Sequence, residues 1–324
     1  MRHIRLFESF EIVQPINYGE PLNNREINFL RGYNVMCPEW ISKDDNYYYV
    51  FNHRCENIKD LPLTYINSVC KKFNMRNYTI NYGHTVDVLF DVNLSYKSLN
   101  RIPLVFNTVS GDFRCNHNNL TTLEGSPKSV GGEFYCERNS LTTLEGSPKE
   151  VGGNFYCHKN ILTTLEGSPK KVGGDFNCYY NQLSTLLGSP KEVGGDFNCN
   201  DNKLTSLLKS PKKVGGFNCH NNQLTTLKGS PKKIFGGFYC SYNQLTTLEG
   251  CPKKVDGEFF CQENQLTTLE GGPEYVGADF YCVNNKLTTL DGGPKYVGGN
   301  FYCGNNSLTS VEYTGVIKGL IYTK

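Results

Sequence analysis

The chain has 324 residues, with 33 lysines and arginines against 31 aspartates and glutamates, and this near-neutral balance excludes a bulk polycation for nucleic acid or membrane surfaces. Thirty-three glycines, 14 cysteines and almost no alanine argue against long helices. No apolar run reaches the roughly 18 residues needed to span a bilayer, and the opening MRHIRLFESFEIVQ has no small-residue cleavage site, so a cytoplasmic location is expected.

Residues 1 to about 85 do not repeat. NNREINFLRGYNV and LPLTYINSVCKKFN have the pattern of short helices. YYYVFNH and YTINYGHTVDVLFDV read as strands, the second turning back as a hairpin around Asn81-Tyr82-Gly83-His84. A small α+β N-terminal domain or cap over 1–85 is the expectation. His53, Cys55, Cys70 and His84 could be drawn together as a metal site or a Cys-His pair, but no metal-site spacing supports it. No metal and no cofactor are expected.

From residue 86 to about 310 the chain repeats. Cys115, Cys136, Cys157, Cys178, Cys199, Cys219, Cys240, Cys261, Cys282 and Cys303 are 21 residues apart, except for one step of 20 from Cys199 to Cys219. The missing residue falls in VGGFNC, just ahead of Phe217. VNLSYKSLNRI reads as a degenerate earlier copy, with Val92, Leu94, Leu99 and Ile102 placed 21 residues before Phe113, Cys115, Leu120 and Leu123. After 310 the phrase lapses, and 311–324 is expected to cap the last strand.

Phe and Cys, two apart, should point to one side of a short strand, and the residue between them to the other. GSPK supplies the Gly and Pro that turn the chain. One copy cannot bury its Val, Phe, Cys and two Leu alone, so copies must stack and share a core. An inward cysteine is a small, weakly polar filler. The asparagine ladder, Asn118 through Asn306, is expected to satisfy backbone groups where each strand ends.

The variable slots are the candidates for recognition. Between Phe and Cys stand Arg114, Tyr135, Tyr156, Asn177, Asn198, Asn218, Tyr239, Phe260, Tyr281 and Tyr302: two aromatic blocks around an asparagine middle. Just before Phe runs an acidic column that includes Glu133, Asp175, Asp196, Glu258 and Asp279. After Cys come mixed residues, among them Arg138, Tyr179, Tyr180 and Tyr242. These residues form the expected partner-binding face, because tyrosine offers rigid, amphipathic contact area at small entropic cost. The turns carry a lysine ridge that includes Lys232 and Lys233. Its lysines lie apart from the aromatics, so a nucleic-acid track is not expected.

The core G-x-x-F-x-C-x-x-N-x-L of each copy superimposes on the leucine-rich-repeat pattern L-x-x-L-x-L-x-x-N-x-L, with Phe134, Cys136, Asn139 and Leu141 on its later positions. Gly131 replaces the first leucine, and Val130 beside it is expected to supply that apolar contact. LTTLEGSPKEVGG and FYCSYNQLTTLEG resemble the short 21-residue leucine-rich repeats of large tailed bacteriophage proteins, and IRLFESF resembles the start of such proteins. The resemblance implies a leucine-rich-repeat solenoid of short parallel β-strands with a turn-built outer face. It also implies a phage origin.

The expected function is a non-enzymatic protein–protein interaction module that binds and inhibits or sequesters a host bacterial protein, with antiviral-defence proteins among the candidates. The alternatives are a virion or tail component, and an enzyme or toxin-like activity carried by residues 1–85. No phosphate-binding loop, G-x-S-x-G or H-E-x-x-H is present. Nothing in the pattern specifies an oligomeric state.

Overall fold

The computed structural model describes residues 63–323, together with four short strands nearer the N-terminus. Contacts divide the chain into two compact units, Met1–Leu61 and Pro62–Lys324. In the first, β1 (His3–Leu6) pairs antiparallel with β2 (Phe10–Pro15), and β3 (Lys43–Asp44) with β4 (Tyr47–Tyr48). The segment NNREINFLRGYNV and residues Cys37, His53 and Cys55 lie outside the described residues.

The second unit opens with helix α1 (Leu63–Lys72) and the antiparallel hairpin β5 (Tyr78–Ile80) and β6 (Val86–Val88), both legible in the sequence. Strand β6 then pairs parallel with Phe106–Val109, so the hairpin is the first rung of the repeat array. Its own outer edge is closed by β5.

From Phe113 onward every copy contributes two strands of two residues each, and these build two parallel ladders. One runs without a break through twelve strands, from Val92–Asn93 to Ile321–Tyr322. Its register is strict: Phe134 pairs with Phe155 and Tyr135 with Tyr156, one copy on. Val92, in the degenerate copy, pairs with Phe113 as its spacing demands.

The second ladder is formed by the Lys-Val or Glu-Val dipeptides after the Pro turn, where the repeat pattern predicts only a turn-built outer face. Its residues alternate across the ladder: the valines are buried and the preceding Lys or Glu exposed. This ladder breaks between Glu192–Val193 and Lys213–Val214. The break falls in the 20-residue copy, because the deleted residue shortens the corner joining the two ladders. The Phe ladder continues across it, with Phe197 paired to Phe217. In the copy after the deletion, Phe235 occupies a slot that holds glycine from Gly131 to Gly215 and Asp256 in the next copy. Its side chain is 56% exposed, with the Lys213 ammonium 5.1 Å from the ring centre.

Between the ladders lies a single-file core. From Phe113 to Phe280, successive Phe rings stack 5.2–5.8 Å apart with planes within 15°. The repeat cysteines and leucines fill in beside them, nearly all with no exposed surface. Val130 is 3% exposed and makes good the leucine that Gly131 lacks. At the C-terminal end, Val316–Ile317 and Ile321–Tyr322 continue both ladders by one more rung, with Ile321 in the Phe slot. The Tyr313 ring packs edge-on against Phe301, 5.0 Å away, and its hydroxyl donates to Pro294 O.

Candidate functional site

The repeat cysteines point inward. Each thiol whose hydrogen bond is resolved donates to a backbone carbonyl one copy on, as Cys136 Sγ does to Tyr156 O at 3.3 Å. Burial pushes these thiols well above their ordinary pKa, so they are neither nucleophiles nor ready metal ligands. Among the described residues no group of three or more His, Cys, Asp or Glu is placed to hold a metal ion.

The asparagines do what their repetition predicts. Asn202 Nδ2 donates to Cys178 O and Cys199 O, both at 3.1 Å, while its Oδ1 accepts the Leu183 N–H at 3.0 Å. One amide thus ties three backbone groups from two successive copies. The variable slots between Phe and Asn are therefore what the array presents outward on this face.

The residue between Phe and Cys is half-buried from Arg114 to Tyr302, and where it is aromatic its ring packs on a neighbouring residue of the face. In the N-terminal block the Arg114 guanidinium lies 4.9 Å over Tyr135, and Tyr135 stacks on Tyr156 at 4.9 Å. The row then shifts by one slot: Tyr156 meets His158 edge-on, and His158 stacks on Tyr179 at 4.3 Å. Tyr180 stands against Tyr179, with the Lys159 ammonium 5.8 Å from its ring.

The C-terminal block runs Tyr239, Phe260, Tyr281, Tyr302, with centroids 5.1, 4.3 and 4.3 Å apart. Tyr322 adds a fifth ring, stacked 4.7 Å from Tyr302. Sequence reading missed Tyr322 because the cysteine after it is gone, although GLIY keeps the glycine, apolar residue and tyrosine of GNFY. Tyr242 belongs to a neighbouring slot and meets His220 edge-on at 4.9 Å. Asn177, Asn198 and Asn218 separate the two blocks.

Arg138, Tyr180 and Tyr242 share a further feature. They occupy the second position after Cys, where every copy from His117 to Asn305 turns through positive φ, between 50° and 55°. That left-handed residue swings the chain from strand to inward asparagine and leaves its own side chain projecting.

The acidic column has a structural role that composition did not disclose. Asp175 Oδ1 accepts the Asp196 N–H at 2.8 Å, and Asp279 Oδ1 accepts the Asn300 N–H at 2.7 Å. Asn154 does the same for Asp175 through its amide oxygen at 2.6 Å. One oxygen of each such residue thus extends the ladder where the backbone leaves the glycine corner. Carboxylates of the same column hold tyrosines: Tyr239 donates to Glu258 at 3.1 Å, Tyr281 to Asp279 at 3.2 Å, and Tyr135 to Glu133. Burial first, and then the Glu258 charge, push the Tyr239 phenol up to about 12. The rings are locked at both ends, by stacking and by their hydroxyls.

Glu137 and His158 occupy the slot after Cys in successive copies. Glu137 is only 7% exposed and its Oε2 has no hydrogen-bond partner; burial raises its pKa. His158, in the next copy, is pushed down to about 4, first by burial and then by the Lys159 and Arg138 charges. The two act in opposite pH ranges. A carboxyl raised in the folded chain stabilises at acid pH, and that benefit is lost as pH rises through its folded pKa. A histidine lowered from 6.5 to about 4 disfavours the folded state progressively as pH falls between those values. Glu137→Gln is therefore expected to raise the urea midpoint at pH 7, with the gain shrinking towards pH 4. A lower midpoint at pH 7 would show that the carboxylate is better satisfied than its surroundings indicate.

No protein-family model matches the sequence, and a search of curated proteins finds no match. Similar solved structures include YopM from Yersinia enterocolitica WA-314, with a TM-score of 0.39, 16% identity, and coverage of 72% of this chain and 64% of that one. The chain thus spans less than two thirds of that structure. YopM from Yersinia pestis, described as a leucine-rich effector protein, gives 0.40 at 17% identity, with 72% and 76% coverage. The leucine-rich repeat domain of APL1B gives 0.41 at 13% identity, with 80% and 85% coverage.

Proposed function

We propose that the array is a non-enzymatic protein-binding module, and that its strand face grips the partner through the two aromatic blocks. The observation that carries this reading is the pre-set order of those rings. They stand on short strands, pack stacked or edge-to-face with centroids 4.3–5.1 Å apart and mostly anchor their hydroxyls on the acidic column, so little freedom is lost when a partner covers them. The same ring-on-ring packing closes the gaps between rings, which disfavours nucleic-acid bases as ligands. Buried thiols and fully engaged asparagines leave no nucleophile in the constant positions. No described helix is long and apolar enough to cross a membrane.

Following the resemblance of the repeats, the proposed source is a tailed phage, and the partner a host bacterial protein met in the host cytoplasm. Antiviral-defence proteins fit that setting. The module would act by occlusion or sequestration, with no bond made or broken.

Replacing Tyr281 and Tyr302 together by alanine is expected to weaken capture of the partner from host lysate at least tenfold. Replacing Lys232 and Lys233, on the far ladder and its turn, should leave capture within about twofold. Both variants should keep the far-UV spectrum of the parent. Equal loss from the two pairs, or no loss from the tyrosines, would mean that another face does the binding. Abundant copies in purified virions would favour a structural role over an inhibitor.

A further inference from the structure

Charge is sorted along the strand face as well as around the array. The face consists of four slots per copy: the one before Phe, the one after it, and the two after Cys. From Asp175 to Asn305 these slots hold Asp175, Asp196, Asp201, Glu258, Glu263 and Asp279, and no lysine or arginine. None of the six carboxylates is buried. The cations of the face, Arg114, Arg138 and Lys159, are confined to its N-terminal copies, where Asp112 pairs with Arg114 at 2.7 Å. The C-terminal stretch also carries the longer aromatic block, Tyr239 to Tyr322.

A second observation comes from the slot directly after Cys. Ser241 is 1% exposed and its Oγ has no hydrogen-bond partner; Gln262, in the next copy of the same slot, has a buried Oε1 that is also unpartnered. Native structures rarely leave such atoms unsatisfied, and the cost of doing so is real. Both atoms accept hydrogen bonds, and they lie beside Tyr239 and Phe260 along the same two strands.

Acceptors without donors, carboxylates without cations and tyrosine edges instead of open faces call for a ligand rich in N–H groups with apolar stems. We propose that the C-terminal half of the strand face takes an extended basic segment of a protein partner, its arginines or lysines lying over Glu258, Glu263 and Asp279. This rests on the strand face being the binding surface. Arginine suits the site because its fork of donors can meet a carboxylate and an amide oxygen together, while its methylenes cover the ring edges.

The test removes charge and leaves the fold's hydrogen bonds intact. In the triple variant Glu258→Gln, Glu263→Gln, Asp279→Asn, each new amide oxygen can still accept what the carboxylate accepted: the Tyr239 hydroxyl, the Asn284 amide and the Asn300 N–H. Asn154 and Asn300 already serve in the Asp279 slot, each donating its amide to the tyrosine two residues on. The probes are labelled peptides of eight arginines and eight glutamates, titrated by fluorescence anisotropy against the full chain.

The arginine peptide should bind, the glutamate peptide should not, and the triple variant should lose about tenfold. Lys232→Gln with Lys233→Gln should lose nothing. Raising NaCl from 50 to 500 mM should weaken the parent about tenfold, since half-exposed charges are screened over a few ångströms at high salt. Equal binding by the triple variant, equal binding of both peptides, or binding of neither would overturn the proposal. A captured lysate partner separates the two ideas. Dependence on Tyr281 and Tyr302 without dependence on the three carboxylates keeps the face and removes the basic segment. Indifference to the tyrosines removes the face itself.

Discussion

Asn202→Ala is expected to cost the array about 3–5 kcal/mol, measured as a lower urea midpoint by near-ultraviolet circular dichroism. The substitution leaves the Leu183 N–H without its acceptor and removes the donor to Cys178 O and Cys199 O. Each of these backbone groups sits where water cannot readily replace the lost partner, and each costs about 1–3 kcal/mol when left unsatisfied. Asn202→Asp should be no better, because the carboxylate keeps the acceptor, loses both donors and brings a charge against two carbonyl oxygens. Asn177→Ala is the control: Asn177 is half-buried on the strand face and outside the ladder of tying amides, so its loss should stay within about 0.5 kcal/mol. If Asn177 and Asn202 prove equally costly, the tying role assigned to the repeated asparagine is wrong.

Gly173→Val should be similarly damaging, by about 3 kcal/mol or more, for a reason unrelated to backbone freedom. A Cβ on Gly173 would be driven into the carbonyl oxygen of Gly152, one copy earlier. That carbonyl cannot retreat, since Gly173 N and Gly174 N hold the corner to Val151 O and Gly153 O at 2.9 and 3.0 Å. Gly236, in the second glycine slot of the copy that follows the deletion, is a looser position. There the preceding copy is one residue short, and an added methyl would meet nothing closer than 3.3 Å. Gly236→Ala should therefore cost less than about 1 kcal/mol, and the contrast can be read from the two urea midpoints. Because each copy touches only its neighbours, damage at Gly173 should spread as loss of adjacent rungs before the whole array melts.

From Gly131 to Gly194 the first glycine slot lies against a carbonyl of the preceding copy, whereas beyond the short copy it takes Phe235 and then Asp256. Sequence inspection found the deletion, but not its consequence, because the contact that forbids a side chain is made with another copy 21 residues away.

The face divides along similar lines. That Tyr135, Tyr281 and Tyr302 share one side of a strand follows from period two alone. That their hydroxyls rest on Glu133, Asp279 and Asn300 does not, because reaching from one slot to the next depends on rotamer and rung spacing. The acidic residues expected on the partner-binding face also have structural work: Asp175 and Asp279 each give one oxygen to the backbone of the next copy, and the second oxygen of Asp279 holds Tyr281. Glu137 stands out in the sequence as a variable outward letter, but its burial does not: the slot holds Asn, His, Tyr and Ser elsewhere, and only the packing of its neighbours buries it.

By itself the sequence determined the repeat length, the inward Phe and Cys, the tying asparagines, the degenerate first copy and the N-terminal helix and hairpin. All of these depend on periodicity or on contacts between neighbours in the chain, and a 21-residue repeat writes both openly. Only the tertiary structure decided the second ladder, its break at the short copy, the fifth ring at Tyr322, and which polar atoms have a partner. Those depend on how far one rung stands from the next. That distance is set by the stacked core as a whole, and no single copy of the phrase contains it.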